Sequence, residues 1–241
     1  KRMCSYKALY FCNIKQSDNN IFATLGNSKT YEKEGLISHK GTIVDATFVD
    51  APRQRNSRDE NKKIKNGEIP EEWEKPENKS KLAQKDIDAN WTKKNGERHF
   101  GYKDHVKCDA DSKLITNYSV TSASVHDSQR CLVFIGQEDE VLYADSAYSG
   151  KPIALALPEN CKNQICEKGY RNSPLTSEQK MNNRRKSRIR CRIEHIFGFM
   201  TGAMHGITIR SIGITRAWMN IGITNLVYNF CRYSYLKRTS A

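Results

Sequence analysis

The sequence lacks the long apolar run of a membrane-spanning helix, and no secretion signal is recognisable at its start. A span needs about 18 consecutive apolar residues, and no stretch of the chain approaches that length. Hydrophobic residues make up only 37% of the 241 residues, whereas 28% are charged. We therefore expect a protein without membrane contact, built as one sizeable domain with solvated, charged surfaces.

The eight cysteines lack the spacing of a zinc ribbon or of a redox motif. No two of them are separated by two residues, and the closest pair, Cys161 and Cys166, has four residues between its members and no histidine nearby. Scattered cysteines of this kind are typical of free thiols in a reducing cytoplasm. The sequence therefore predicts neither a zinc site nor a disulfide framework.

Acidic residues are few relative to basic ones. The chain has 40 lysines and arginines against 27 aspartates and glutamates, which gives a net charge of +13. An excess of this size attracts polyanions, and nucleic acid is the commonest polyanion that proteins bind. The alternative, a charge that only promotes solubility, stays open at this level.

The sequence pattern is weak in residues 1–40 and sharpens at residue 41. Residues 41–50 are apolar and β-branched almost throughout, which predicts a strand buried on both faces. Residues 51–96 are rich in charge and poor in large apolar side chains, so they cannot bury enough surface to offset the entropy cost of ordering. The sequence predicts an exposed, largely flexible insertion there, in which Trp73 and Trp91 are the candidate anchors.

Strands and helices alternate in the rest of the chain, which predicts an α/β domain. The predicted elements are strands at 99–109 and 114–124 that form a hairpin, a helix at 128–134, a strand at 141–145, a helix at 151–157, a strand at 164–167, and helices at 177–200 and 217–235.

Three acidic residues stand out because of the elements that carry them. Asp45 lies in the middle of the first apolar strand, where an unpaired carboxylate is costly. Asp145 follows a strand at its carboxyl end, where open α/β sheets place ligands. Glu194 lies beside an apolar helical stripe, at the edge of a face predicted to be buried. Three oxygen ligands on two strands and a helix predict a two-metal site for phosphoryl displacement.

Each of these acids also has an ordinary structural interpretation. Asp45 alone fits a carboxylate that binds backbone amides or an arginine, and Asp145 alone fits a cap for the following turn. Glu194 lies four residues after Arg190, which is the spacing of a surface ion pair on a helix. Only the order of the three acids within the strand and helix pattern favours the metal site.

Longer strings of the sequence resemble the DDE transposases of bacterial insertion sequences. The most specific strings are Gln-Lys-Asp-Ile-Asp-Ala-Asn-Trp-Thr at 84–92, Gly-Tyr-Lys at 101–103, Ser-Val-His-Asp-Ser at 124–128 and Tyr-Ala-Asp-Ser-Ala-Tyr at 143–148. The resemblance covers residues 41–235 and implies a ribonuclease H-like catalytic domain: a mixed sheet flanked by helices, with the charged insertion after its first strand. Residues 236–241 would then be a tail.

The resemblance also implies an activity, which is cleavage at the ends of an insertion sequence followed by strand transfer into target DNA. Asp45, Asp145 and Glu194 would form the catalytic triad and hold two Mg²⁺ ions, for which Mn²⁺ can substitute. The substrates would be the terminal inverted repeats of the element and the target DNA, in the bacterial cytoplasm at the nucleoid. Because two ends must be brought together, we expect a homodimer on DNA.

The chain departs from the family pattern in two respects. Related transposases carry a Tyr, Arg, Glu, Lys pattern around the last acid, and here Arg190 and Glu194 fit it, whereas Ser187 and Thr201 stand at the tyrosine and lysine positions. Residues 1–40 are also shorter than the N-terminal DNA-recognition region of the family, so we interpret them as a truncated remnant. Two alternatives follow: an inactive remnant that only binds DNA, and a metal-dependent DNA nuclease of the same fold.

Two basic clusters are the predicted DNA contacts. The first has six cations within nine residues just before Glu194, a density that is tolerated best beside phosphates, and the second runs along the predicted hairpin. A solvated helix face and an exposed sheet face are the respective alternatives. The members are Arg184, Arg185, Lys186, Arg188, Arg190 and Arg192 in the first cluster, and Lys103, His105 and Lys107 in the second.

Overall fold

The structure is a computed structural model that describes residues 28–94 and 96–239 of the chain. Most of the predicted N-terminal segment 1–40 therefore lies outside the described residues. Its described part contains a short helix, α1 (Ser28–Lys33), which packs Tyr31 against Tyr233 near the other end of the chain, with ring centroids 5.3 Å apart.

A six-stranded mixed sheet forms the centre of the domain. Its order is β2-β3-β1-β5-β6, and β4 also pairs with β3. The central strand β1 is antiparallel to β3 and parallel to β5, which in turn is parallel to β6. The strands are β1 (Thr42–Asp50), β2 (Asn90–Lys94), β3 (Glu97–Asp109), β4 (Ile115–Ser122), β5 (Val141–Ala144) and β6 (Lys162–Asn163).

Helices cover both faces of this sheet, so the predicted α/β class with a mixed sheet flanked by helices is confirmed. No helix in the described ranges is long and apolar enough to cross a lipid bilayer. After α1, the helices are α2 (Arg58–Lys65), α3 (Glu71–Glu74), α4 (Lys79–Ala83), α5 (Ser128–Phe134), α6 (Lys151–Ala156), α7 (Ser177–Arg190), α8 (Arg192–Gly202) and α9 (Ile214–Thr239), with 3-10 turns at Pro76–Asn78 and Ser146–Tyr148.

Neighbouring side chains of β1 point to opposite faces of the sheet, because a strand alternates with a period of two. Ile43 packs in one core cluster with Ile193 of α8, whereas Val44 packs in another with Phe134 of α5. Asp45 lies two residues after Ile43 and therefore shares its face. We call this side of the sheet, which α8 and α9 cover, the acid face.

The charged insertion follows β1 as predicted, but the expectation that it is largely flexible is wrong. The insertion contains α2, α3 and α4, and Trp73 is completely buried within it, where its indole Nε1 donates to Glu60 Oε1 at 2.8 Å. Ser57 and Glu60 form a capping box that starts α2. The insertion is ordered because one tryptophan and one aliphatic residue, the buried Ile64, supply a small core of its own.

Four predicted boundaries also need correction. The insertion ends before residue 90, because Asn90–Lys94 pairs with β3 as strand β2. The predicted helix 177–200 is two helices, which end and begin on either side of Cys191. Strand β6 begins at Lys162, two residues before the start of the predicted strand 164–167. The predicted tail 236–241 is helical over its described part, since α9 continues to Thr239.

Gly101, in one of the quoted sequence strings, marks a close approach between β3 and the end of β1. Its φ is +146°, and a Cβ built there would lie 2.3 Å from the Val49 carbonyl oxygen and 2.7 Å from the Ala51 nitrogen. Both atoms are backbone and cannot move aside cheaply. A side chain at this position would therefore push β3 away from the end of β1.

Candidate active site

Strand register brings Asp45 and Asp145 together. Val44 pairs with Ala144 across the parallel strands β1 and β5, so the next residue on each strand is an aspartate at the same level. Neighbouring strands are about 4.8 Å apart, which makes the two aspartates direct neighbours. Both follow the alternation of the acid face, because Tyr143, two residues before Asp145, packs with the same core cluster as Ile43.

Helix α8 brings Glu194 to the same place. The helix lies on the acid face through the completely buried side chains of Ile193 and Ile196, together with Met200, which is 2% exposed. Glu194 follows Ile193 directly and lies at the edge of this contact, where its side chain is 56% exposed. The sequence pattern had predicted this position at the rim of a buried helical face.

Arg190 joins the acid on the sheet to the acid on the helix. Its Nη1 donates to Asp45 Oδ2 at 2.9 Å, and its Nη2 donates to Glu194 Oε1 at 2.8 Å. Both ordinary interpretations therefore hold in this structure, since Asp45 binds an arginine and Glu194 forms the ion pair of i,i+4 spacing. The sequence pointed to each contact separately, but it did not reveal that one guanidinium makes both.

The pKa values of Asp45 and Arg190 are both shifted by their burial and by the charges around them. Burial raises the pKa of Asp45 above its ordinary value, and the nearby charge of Asp145 raises it further, whereas the Ala46 amide and Arg190 oppose the rise. Burial by itself lowers the pKa of Arg190, but the charges of Asp45 and Glu194 outweigh burial and raise it. The site is thus a group of carboxylates that repel one another and depend on a nearby cation.

Backbone amides orient the two aspartates. The Ala46 amide donates to Asp45 Oδ1 at 2.8 Å, and the Ala147 amide donates to Asp145 Oδ1 at 3.1 Å. Asp145 therefore also caps the 3-10 turn at Ser146–Tyr148, as its structural interpretation suggested. This hydrogen bond uses one oxygen of Asp145, so the cap and a ligand role are compatible.

A different group of side chains has the tightest spacing of metal-ligating atoms. In residues 28–94 and 96–239, one trio of potential ligands lies within 4.8 Å of one another, and it consists of His39, Glu138 and Asp139. The ammonium group of Lys107 already lies there, 2.7 Å from Asp139 Oδ2 and 3.9 Å from Glu138 Oε1. We therefore interpret this trio as a structural ion-pair cluster whose cation is the lysine.

The family comparison identifies the domain that carries the three acids. The family described as the transposase DDE domain matches residues 37–230. The chain belongs to this family. The match contains Asp45, Asp145, Glu194 and Arg190, together with all six strands. No solved structure matches the chain significantly.

The basic stripe predicted along the hairpin of this transposase domain is not available to DNA. Lys103 and Lys107 are only 7% and 6% exposed, and each binds an aspartate: Lys103 Nζ lies 2.8 Å from Asp127 Oδ1, and Lys107 Nζ lies 2.7 Å from Asp139 Oδ2. His105 between them is completely buried. The prediction failed because alternation identifies residues that share a face, whereas helix α5 and its flanking loops cover this face.

The other predicted cluster, the six cations just before Glu194, divides into two groups. Three of its cations make contacts within the protein: Lys186 donates to the Ile165 carbonyl, Arg192 binds Asp111, and Arg190 bridges two acids as described above. The other three have exposed side chains on α7, and they are Arg184, Arg185 and Arg188.

A basic cleft that the sequence analysis missed lies beyond the carboxyl end of β1. Its volume is about 560 Å³, and no acidic residue lines it. Trp91, which the sequence analysis considered only as an anchor of the insertion, was the residue that could have pointed to this cleft. Arg53 lies over the Trp91 ring at 5.7 Å. The lining residues are Gln54, Asn56, Asn61, Lys65, Trp91, Thr92, Lys93, Arg98 and Ser124.

Ser187 and Thr201, the two residues that depart from the family pattern, both contact atoms close to them. The Ser187 hydroxyl lies 3.8 Å from Cys166 Sγ, and the Thr201 hydroxyl donates to the Phe197 carbonyl of its own helix at 2.8 Å. Neither residue offers the aromatic ring or the cation that the pattern has at its position.

Proposed function

We propose that this chain is the catalytic domain of a DNA transposase from a bacterial insertion sequence, which cuts DNA at the ends of the element and joins the freed ends to target DNA. One observation carries the proposal. Asp45 and Asp145 are neighbours by strand register, and Arg190 joins Asp45 to Glu194, in a chain that belongs to the transposase DDE domain family.

The donor chemistry of the three acids fits a pair of divalent ions. Asp45, Asp145 and Glu194 offer hard oxygen atoms only, which suits Mg²⁺. Burial, and to a smaller extent the charge of Asp145, raises the pKa of Asp45, and a bound cation would stabilise the ionised form of such a carboxylate. Two Mg²⁺ ions held there, or Mn²⁺ in their place, would supply the Lewis acidity and the activated nucleophile that in-line phosphoryl displacement needs.

The residues of the chain prepare the site for this chemistry. Asp45 and Asp145 are fixed by adjacent strands and oriented by the Ala46 and Ala147 amides, so little reorganisation is needed when a substrate arrives. Glu194 has the most exposed side chain of the Asp45, Arg190 and Glu194 group. We expect the DNA backbone to approach from the side of Glu194.

Two basic surfaces would hold the DNA. The exposed arginines of α7 precede Glu194 in the chain, and the Trp91 cleft follows β1 beyond Asp45, so the two surfaces lead away from the acids along different elements. Contacts of this kind bind phosphates and fix orientation without reading sequence. We expect the terminal inverted repeats and the target DNA to be bound here by a homodimer at the nucleoid.

The test is a cleavage and joining assay with labelled duplexes that carry the terminal inverted repeats of the element. With Mg²⁺, we expect nicked and joined products, and Asp145→Asn should lower their rate by more than about a hundredfold. Asp59→Asn, which changes an exposed aspartate on α2, is the matched control and should keep full activity.

The other outcomes identify the two alternatives. Nicked products without joined ones would indicate a metal-dependent nuclease of the same fold. DNA binding without nicking, in Mg²⁺ and in Mn²⁺ alike, would indicate an inactive remnant, for which Ser187 and Thr201 would be the first residues to restore to tyrosine and lysine.

A further inference from the structure

We propose that Arg190 is a positioning residue that occupies the metal site in the absence of DNA and leaves it when a DNA phosphate binds, so that metal loading is coupled to substrate binding. The inference rests on the proposed function, because it assumes that Asp45 and Glu194 bind divalent ions. It goes further by naming the residue that regulates their availability.

The contact geometry makes the arginine and the ions competitors. Arg190 uses both ends of its guanidinium, on Asp45 Oδ2 at 2.9 Å and on Glu194 Oε1 at 2.8 Å. The other oxygen of Asp45 accepts the Ala46 amide at 2.8 Å, so both oxygens of this carboxylate are engaged. Because Mg²⁺ also binds through carboxylate oxygens, Asp45 Oδ2 and Glu194 Oε1 would become available to an ion only when the guanidinium leaves them.

The charge balance supports the exchange. One guanidinium, with a smaller contribution from Lys94, is set against three carboxylates, so the group favours the binding of further positive charge. The Arg190 side chain is 21% exposed, and exposed cations that attract phosphates, Arg185 and Arg188, lie on the same helix. A phosphate oxygen pair is a bidentate partner equivalent to the carboxylates that the arginine would give up.

An ordinary structural ion pair predicts the opposite effect of removing Arg190. If the arginine only holds the acids in place, its loss should disorder them and weaken metal binding. If it competes with the ions, its loss should strengthen metal binding in the absence of DNA. The direction of the change therefore separates the two roles.

The experiment is a titration of the whole chain with Mn²⁺, followed by electron paramagnetic resonance of the free ion. Without DNA, we expect Arg190→Gln to raise the Mn²⁺ affinity by about tenfold. Adding a terminal-repeat duplex should raise the affinity of the wild type by a similar factor and leave that of Arg190→Gln nearly unchanged, because linkage between two ligands is reciprocal. Arg190→Lys keeps the charge but can span the two acids less well, so its affinity should be intermediate.

Two controls make the result specific. Arg210→Gln removes an exposed arginine outside the site, and His39→Ala alters the trio with Asp139; neither should change the Mn²⁺ affinity. Thermal unfolding followed by circular dichroism establishes that each variant is folded.

Three results would overturn the inference. Weaker Mn²⁺ binding by folded Arg190→Gln would make Arg190 a structural support of the site. Equal binding by wild type and variant, with and without DNA, would remove the coupling but leave the proposed function standing. Absence of Mn²⁺ binding in both proteins, even with DNA, would overturn the proposed function as well.

Discussion

Two clusters of acidic residues in this molecule differ in how their oxygens are used. Asp139, in the trio with His39 and Glu138, is 1% exposed, and its carboxylate accepts the Thr42 hydroxyl at 2.6 Å and the Gly136 amide at 2.9 Å. Lys107 adds a charge-assisted bond at 2.7 Å. On the acid face, Glu194 is 56% exposed, and the cation between the acids is the Arg190 guanidinium, whose side chain is 21% exposed.

The comparison shows that close spacing of ligand atoms does not by itself identify a metal site. The trio has the tightest spacing, but its central acid is enclosed, hydrogen-bonded and neutralised by a buried lysine. Asp45 and Glu194, in contrast, are joined by the Arg190 guanidinium, and their side chains are 15% and 56% exposed. Accessible oxygens beside a displaceable cation suit a site that binds ions and substrate, whereas satisfied oxygens suit a structural role.

The largest expected effect is on the stability of the enclosed cluster. Asp139→Ala leaves the Lys107 ammonium buried without its partner, so we expect the free energy of unfolding to fall by about 3–5 kcal/mol. Urea denaturation at neutral pH measures it. The control is Glu138→Ala, which removes a 55% exposed carboxylate 3.9 Å from the same lysine and should cost less than about 1 kcal/mol. Equal losses in the two variants would contradict the comparison.

Asp104 extends the comparison to a carboxyl group that no lysine or arginine of residues 28–94 and 96–239 neutralises. It is completely buried on the acid face, beside the side-chain amide of Asn225. Burial raises its pKa from 3.8 to about 7, with the Asn225 amide opposing part of the rise. A carboxyl group of this kind is protonated in the folded protein at acidic pH.

The consequence is a pH dependence of stability. Because the folded protein holds this proton more tightly than the unfolded chain, the contribution of Asp104 is fully present below pH 3.8 and is lost as the pH rises to about 7. The total loss is on the order of 4 kcal/mol at most. Asp104→Asn cannot ionise, so the difference in unfolding free energy between the wild type and this variant should change across that range. A constant difference from pH 4 to pH 8 would exclude the raised pKa.

The smallest expected effect is on DNA binding by Arg188 and Lys103, two cations that the sequence analysis predicted as DNA contacts. Arg188 is exposed on α7, so we expect Arg188→Gln to weaken DNA binding a few-fold and to reduce the slope of log affinity against log salt by about one. Lys103 is buried on Asp127, so Lys103→Met should leave that slope unchanged although it lowers stability. Fluorescence anisotropy at several salt concentrations measures both. A reduced slope for the folded Lys103 variant would restore the hairpin as a DNA contact.

The sequence by itself determined the family, the fold class and the neighbourhood of the three acids. Apolar β-branched runs around Asp45 and before Asp145 required buried strands, and the stripe beside Glu194 required a helix packed on them. These features depend on local periodicity, which is readable along the chain. The family match over residues 37–230 is in agreement with that pattern.

Only the tertiary structure decided what each charge contacts. Alternation places Lys103 and Lys107 on one face of the sheet, but the partners that bury them, Asp127 and Asp139, come from loops far along the chain. The insertion resembled a flexible linker in composition, yet Trp73 and a few short contacts suffice to order it. Periodicity fixes the direction of a side chain, whereas the strength and availability of a charge depend on burial and on distant partners, which no local pattern contains.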